Sequence, residues 1–144
     1  RRVCLRTALI LGDSGGVFPV FKRLVRLGLS GSMAGGRQYV SWMHDQDFCR
    51  MLEWLLENPE LEGIYNAAAP EPLPNHEFFA QVRRHLHVPF GLPATKWMLE
   101  LGAFALQTET ELILKSRWVV PTRALEQGFS FQFPTLNSAL EDLV

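Results

Sequence analysis

The chain has 144 residues, 47% of them hydrophobic and 20% charged, which is enough for one compact unit with a real core. Lys plus Arg is 14 and Asp plus Glu is 15, so no basic excess points to nucleic acid or to an acidic membrane surface. No run approaches 18 uninterrupted apolar residues, which argues against a membrane-spanning helix.

The chain opens Arg1-Arg2-Val3-Cys4-Leu5-Arg6-Thr7-Ala8-Leu9-Ile10-Leu11. Val3 to Leu11 reads as a buried strand, of the kind that sits centrally in a sheet with neighbours on both sides. A chain that begins in mid-strand is expected to be the C-terminal part of something longer. Gly12-Asp13-Ser14-Gly15-Gly16 punctuates the strand. A helix follows, with Val17, Phe18, Phe21, Leu24, Val25 and Leu27 spaced at three and four and Lys22, Arg23 and Arg26 on the other face. The turn lacks the Gly-Lys-Ser/Thr ending of a phosphate loop and lacks Gly-x-Gly-x-x-Gly, so it reads as a plain strand-to-helix connection.

Residues 28–36 form a loop with four glycines, and Arg37 to Met43 reads as a strand. Asp45 and Asp47 fall in the first turn of the next helix, where carboxylates satisfy free amides and the dipole. Its apolar stripe is Phe48, Met51, Leu52, Leu55 and Leu56, and Asn58-Pro59 ends it. Residues 62–69 read as another strand, closed by Pro70, Pro72 and Pro74. The rhythm so far is β-α-β-α-β, that of an open α/β sheet.

After Pro74 the character changes. Asn75 is a good helix N-cap ahead of His76, Glu77, Phe78 and Phe79. Pro89, Gly91 and Pro93 form a connector, and a second helix is expected from Ala94 to about Leu106, with further helical turns over residues 108–114. Pro121 to Gly128 reads as a short helix ended by glycine. Phe129-Ser130-Phe131-Gln132-Phe133 alternates aromatic and polar like a half-buried strand, and Thr135 to Val144 is a final amphipathic helix. Cys4 and Cys49 lie in apolar segments without metal or redox spacing and read as reduced, buried thiols of a cytoplasmic protein.

These residues carry a resemblance. Leu5-Arg6-Thr7-Ala8-Leu9-Ile10-Leu11-Gly12, Gly35-Gly36-Arg37-Gln38, Ser41-Trp42-Met43-His44-x-x-Asp47 and Gly63-Ile64-Tyr65-Asn66-Ala67-Ala68-Ala69-Pro70-Glu71-Pro72 follow one another in order. Asn75-x-Glu77-Phe78, Val120-Pro121 and Gly128-Phe129-Ser130-Phe131-Gln132-Phe133-Pro134-x-Leu136-x-x-Ala139-Leu140 complete the set. The ensemble resembles the later half of an extended short-chain dehydrogenase/reductase, in the epimerase/dehydratase-like branch sometimes labelled cell-division-inhibitor-like, which ends in a domain of unknown function. The resemblance covers essentially the whole chain.

It implies an α/β fold: part of a Rossmann-like sheet with covering helices over residues 1–72, then a small, mostly helical, substrate-binding-type domain over residues 73–144. It implies NAD or NADP in a full-length parent acting as an epimerase, dehydratase or oxidoreductase. The parent's small-molecule substrate would be nucleotide-linked or sugar-like. The Gly-rich dinucleotide fingerprint and the Tyr-x-x-x-Lys pair of that superfamily are absent: Tyr39 and Tyr65 are followed four residues later by Met43 and Ala69. The 144 residues by themselves are therefore expected to hold no cofactor and to be inactive. The alternative is a non-catalytic binding or regulatory module, or a self-associating piece of the same fold; a homo-oligomer with the Val3–Leu11 strand near the contact is expected.

No catalytic residue is assigned. Thr7 and Ala8 resemble the end of the strand that passes under the nicotinamide, and are the cofactor-contact candidates. Arg37 and Gln38 resemble the position that contacts substrate phosphates, and arginine suits a bidentate grip on them. Trp97, with Met98 and Trp118, is the candidate for an apolar substrate wall. His44 and Asp47, three apart at a helix start, are read as setting the strand–helix corner, His44 through backbone hydrogen bonds and Asp47 by capping amides. His76, His85 and His87 have no zinc spacing, and no metal site is expected.

Overall fold

The computed structural model describes residues 1–31, 35–92 and 116–144. The helix expected over 94–106, the turns over 108–114, Trp97 and Met98 lie outside the described residues.

The opening segment is extended throughout but changes partner midway. Its first part, β1 (Val3–Thr7), pairs in parallel with β5 (Gly63–Ala67), Val3 opposite Gly63 and Arg6 opposite Asn66. Its second part, β2 (Leu9–Leu11), pairs in parallel with β4 (Trp42–His44). Ala8 is the joint: its N–H is donated to the Ala67 carbonyl at 3.0 Å, and the next N–H, of Leu9, goes to the Ser41 carbonyl at 3.2 Å. The expected central strand thus has neighbours on both sides, one over each half of its length. A third pairing, antiparallel, joins β3 (Tyr39–Val40) to β6 (Leu73–Pro74). The predicted strand over 37–43 is thereby split at Ser41 between two partners.

Successive strand side chains point to opposite faces, and the core is divided accordingly. Leu9, Leu11 and Trp42 pack into one apolar cluster with α1 (Phe18–Arg26), α3 (Asn75–His85) and α5 (Leu136–Leu143). Phe21, Phe78 and Phe79 form its aromatic centre, edge to face at centroid separations of 5.2–6.0 Å. Ile10 and Met43, one residue out of phase, pack into a second cluster with α2 (Asp45–Glu57) and Ala124 of the short helix α4 (Thr122–Glu126). Helices therefore cover both faces of the β2–β4 pair, the three-layer arrangement of open α/β folds.

The β1–β5 pair is covered less completely. Val3 and Leu5 pack against the second cluster, but Cys4, Arg6 and Ile64 are exposed. This corrects the expectation of buried thiols: Cys4 lies on the open face of β1, and Cys49 is also exposed, both free. Leu52 and Leu56 of the predicted apolar stripe are exposed as well, Leu56 at 75%. With Val3, Leu5 and Leu55 they line an open groove of about 490 Å³.

Local chemistry explains the element ends. β5 starts at Gly63, whose φ of +91° suits glycine, and a side chain there would run into the Arg123 guanidinium. Thr135 caps α5 in a capping box with Ser138. Asn75 does not cap α3: Pro74 occupies the N-cap, and Asn75 is the first helical residue, buried with its side-chain amide unpartnered among the described residues. The alternation at 129–133 is present in burial, with Phe129 and Phe133 inside and Ser130 and Gln132 outside, but it forms no strand. The backbone amides of Gln132 and Phe133 go to a side-chain carboxylate instead of to a ladder.

Candidate functional site

That carboxylate is Asp47. It is fully buried, in the first turn of α2. Oδ1 accepts from the Gln132 backbone N–H and from Arg50 Nη1, and Oδ2 accepts from the Phe133 N–H, all at 2.8 Å. A buried charge is tolerable when its lone pairs are filled this way. His44, the last residue of β4, is the N-cap of α2, and its Nδ1 accepts the Gln46 N–H at 3.1 Å. Nδ1 also lies 3.0 Å from Asp45 Oδ1. Nε2 lies 3.2 Å from Asp142 Oδ2, at an angle that falls short of a hydrogen bond. The ring is stacked on Phe133, centroids 3.9 Å apart. His44 and Asp47 are thus both tied to the C-terminal segment. Among the described residues no group of His, Cys, Asp and Glu gathers that could hold a metal ion.

The open site lies elsewhere, at the carboxyl ends of β1 and β5, where ligands bind in open α/β sheets. A cavity of about 450 Å³ is lined by Arg6, Thr7, Ala8, Ser41, Asn66 and the segment Arg117 to Val120. Arg6 and Asn66 are register partners on neighbouring strands and so share one face of the sheet. Residues 116–120 are strapped across this end of the sheet by their hydrogen bonds. Ser116 Oγ accepts the Tyr39 N–H at 3.0 Å, and the Arg117 N–H is donated to the Tyr39 carbonyl at 2.9 Å. Ser41 Oγ donates to the Arg117 carbonyl at 2.6 Å and accepts the Val119 N–H at 2.9 Å. Asn66 Nδ2 donates to the Val120 carbonyl at 3.1 Å. Trp118 is 61% exposed and meets the Tyr39 ring edge to face at 4.4 Å.

The sequence-derived candidates are distributed unevenly about this cavity. Thr7 and Ala8 line it. Arg37 and Gln38 do not: Arg37 is exposed, and the Gln38 carbonyl accepts the Asn75 N–H at 2.8 Å at the start of α3. Trp97 lies outside the described residues, whereas Trp118 lines the cavity. Ser41, Asn66 and Arg117 were not singled out from sequence. Ser41 and Arg117 are 76 positions apart, and a lone serine in a strand gives no signal of what it will meet.

Parallel strands flanked by helices, with a cavity at their carboxyl ends, define part of a Rossmann-like fold. Comparison with known proteins agrees. The family described as "Domain of unknown function (DUF1731)" matches residues 94–143. The mouse epimerase family protein SDR39U1 is 32% identical over 149 residues, covering all of this chain and 48% of the mouse protein. The epimerase family protein YfhF of Bacillus subtilis is 31% identical, again over all of this chain and 46% of its own length. The crystal structure of human SDR39U1 (isoform 2) with NADPH superposes with a TM-score of 0.87 at 28% identity, covering 99% of this chain and 48% of the human one. A nucleoside-diphosphate sugar epimerase from Corynebacterium glutamicum, at 21% identity and a TM-score of 0.70, shares the fold over 96% of this chain and 25% of its own. The chain matches the C-terminal half of epimerase family proteins of the SDR39U1 type. It spans about half the length of the relatives it matches.

Proposed function

We propose that these residues form the substrate side of the cleft in an NAD(P)-dependent epimerase, dehydratase or reductase. The observation that carries this reading is the cavity at the carboxyl ends of β1 and β5, walled by Thr7 and Ala8 on one side and by the 117–120 strap on the other. Thr7 and Ala8 contact the nicotinamide end of the cofactor, which supplies or takes up a hydride when bound. NADPH in the crystal structure of human SDR39U1 supports NADP as that cofactor. The pyrophosphate needs the Gly-x-Gly-x-x-Gly turn, which these 144 residues lack. By themselves they therefore bind no dinucleotide. Arg37, Gln38 and Trp97 belong to the substrate side, and the substrate is a small molecule, nucleotide-linked or sugar-like. The unpaired thiols of Cys4 and Cys49 favour a cytoplasmic location.

The test is a fusion of this chain behind the dinucleotide-binding half of the Bacillus subtilis relative, titrated with NADPH. Saturable binding by the fusion and none by the 144 residues alone is the expected result. A folded fusion that ignores NADPH, or micromolar binding by the chain alone, overturns the reading.

A second reading is favoured by the groove of Val3, Leu5, Leu52, Leu55 and Leu56, an apolar strip beside β1. Taken alone, the 144 residues pair there with a second copy. A monomer by light scattering at high concentration overturns it.

A further inference from the structure

We propose that Arg6 and Arg117 together recognise an anionic group, a phosphate or a carboxylate, on the molecule that enters the cavity. The proposal rests on the cleft reading above and assigns that cleft's ligand chemistry. The two arginines come from elements far apart in sequence, β1 and the strap, yet line one cavity. Among the described residues no Asp or Glu lines it with them. Among the described residues neither guanidinium has an ion-pair or side-chain hydrogen-bond partner. Two cationic residues on one cavity favour an anion there over a neutral ligand.

The placement of Arg117 is also fixed. Its own carbonyl and N–H are held by Ser41 and Tyr39, at 2.6 and 2.9 Å. Arg6 stands beside Asn66 in strand register, and Asn66 holds Val120. A surface arginine that only solubilises the chain needs no such anchoring. Arginine also matches the planar geometry of phosphate and carboxylate oxygens through paired N–H donors. The cavity, at about 450 Å³, leaves room beyond the anion for the body of a small molecule. Trp118, Val119 and Val120 give that body an apolar wall.

The test is a titration of the 144-residue chain at constant ionic strength with inorganic phosphate, with citrate and with methyl glucoside. The indole resonance of Trp118, identified by its loss in Trp118→Phe, is the readout. A saturable shift with phosphate or citrate, and none with the neutral sugar, is expected. Arg6→Gln and Arg117→Gln each weaken it about tenfold, the loss of one charge-assisted contact. Arg117→Lys, which keeps the charge, weakens it less. Tighter phosphate than citrate assigns a phosphoryl group, and the reverse a carboxylate. No saturable shift with either anion, equal binding of methyl glucoside, or undiminished affinity in both Gln variants overturns the proposal. NADPH binding by the fusion protein is scored separately, so failure of the anion site and failure of the cleft reading give different results.

Discussion

Two regions of this molecule concentrate charge, and they treat it in opposite ways. At the α2 corner Asp47 is buried and each oxygen is occupied, by Arg50 and by the backbone of Gln132 and Phe133. At the carboxyl end of β1, Arg6 and Arg117 are exposed beside a cavity, with no counter-charge lining it among the described residues. The corner spends its charge on joining the C-terminal segment to the sheet. The cavity keeps its charge available. Three other basic side chains also have partners: Lys22 bonds Asp13, Arg83 bonds the Ser30 carbonyl, and Arg123 lies over Tyr65 at 4.7 Å.

Substitutions can break this contrast. The largest effect is expected for Asp47→Ala, which strands two backbone amides and Arg50 at once. A loss of about 3–5 kcal/mol in urea unfolding is expected, the usual range for removing one partner of a buried charged network. A loss below about 1 kcal/mol would show the corner to be as expendable as a surface ion pair.

Next comes Ser41→Ala. It removes both hydroxyl bonds to the strap and costs about 1–3 kcal/mol, with faster proteolysis near Arg117 as a second readout. Full protection of that segment in the variant would show the strap to be held by other contacts.

Smaller again is Gly12→Ala. A Cβ there would stand 2.7 Å from Asp45 Oδ2. Asp45 is at the surface and can shift, so about 1 kcal/mol is expected, measured by thermal unfolding. A neutral or stabilising result would mean that Asp45 does not need its present position.

The smallest effect sharpens the contrast from the other side. Arg117→Gln should change stability by less than about 0.5 kcal/mol, as for a surface side chain without a partner. A loss of 2 kcal/mol or more would make Arg117 a structural residue like Asp47, and the two regions would no longer differ in kind.

The elements with strong periodicity were legible from sequence. α1, α2 and α5 follow from apolar spacing at three and four, and Asn58-Pro59 ends α2 as expected. Pairing partners were not legible, because alternation reports which face a residue takes and not which strand lies alongside. For that reason the change of partner at Ala8 and the break at Ser41 were hidden. The Phe129–Phe133 segment shows the same limit: its aromatic alternation gave the burial of Phe129 and Phe133, while the amides of Gln132 and Phe133 went to a carboxylate more than 80 positions away. For the cavity, Thr7 and Ala8 were accessible through resemblance alone. Ser41, Asn66 and Arg117 become a group only when the strap is folded over the sheet.

The change of partner at Ala8 has a consequence for exchange with solvent. The amides of β1 are held within a pair with β5, and those of β2 within a pair with β4, so the two stretches can open in separate events. Ala8 belongs to both events, and it also lines the cavity. A ligand seated there would staple the two openings together. Deuterium uptake by Val3–Thr7 and by Leu9–Leu11, independent in the free protein, would then slow in step as the cavity fills.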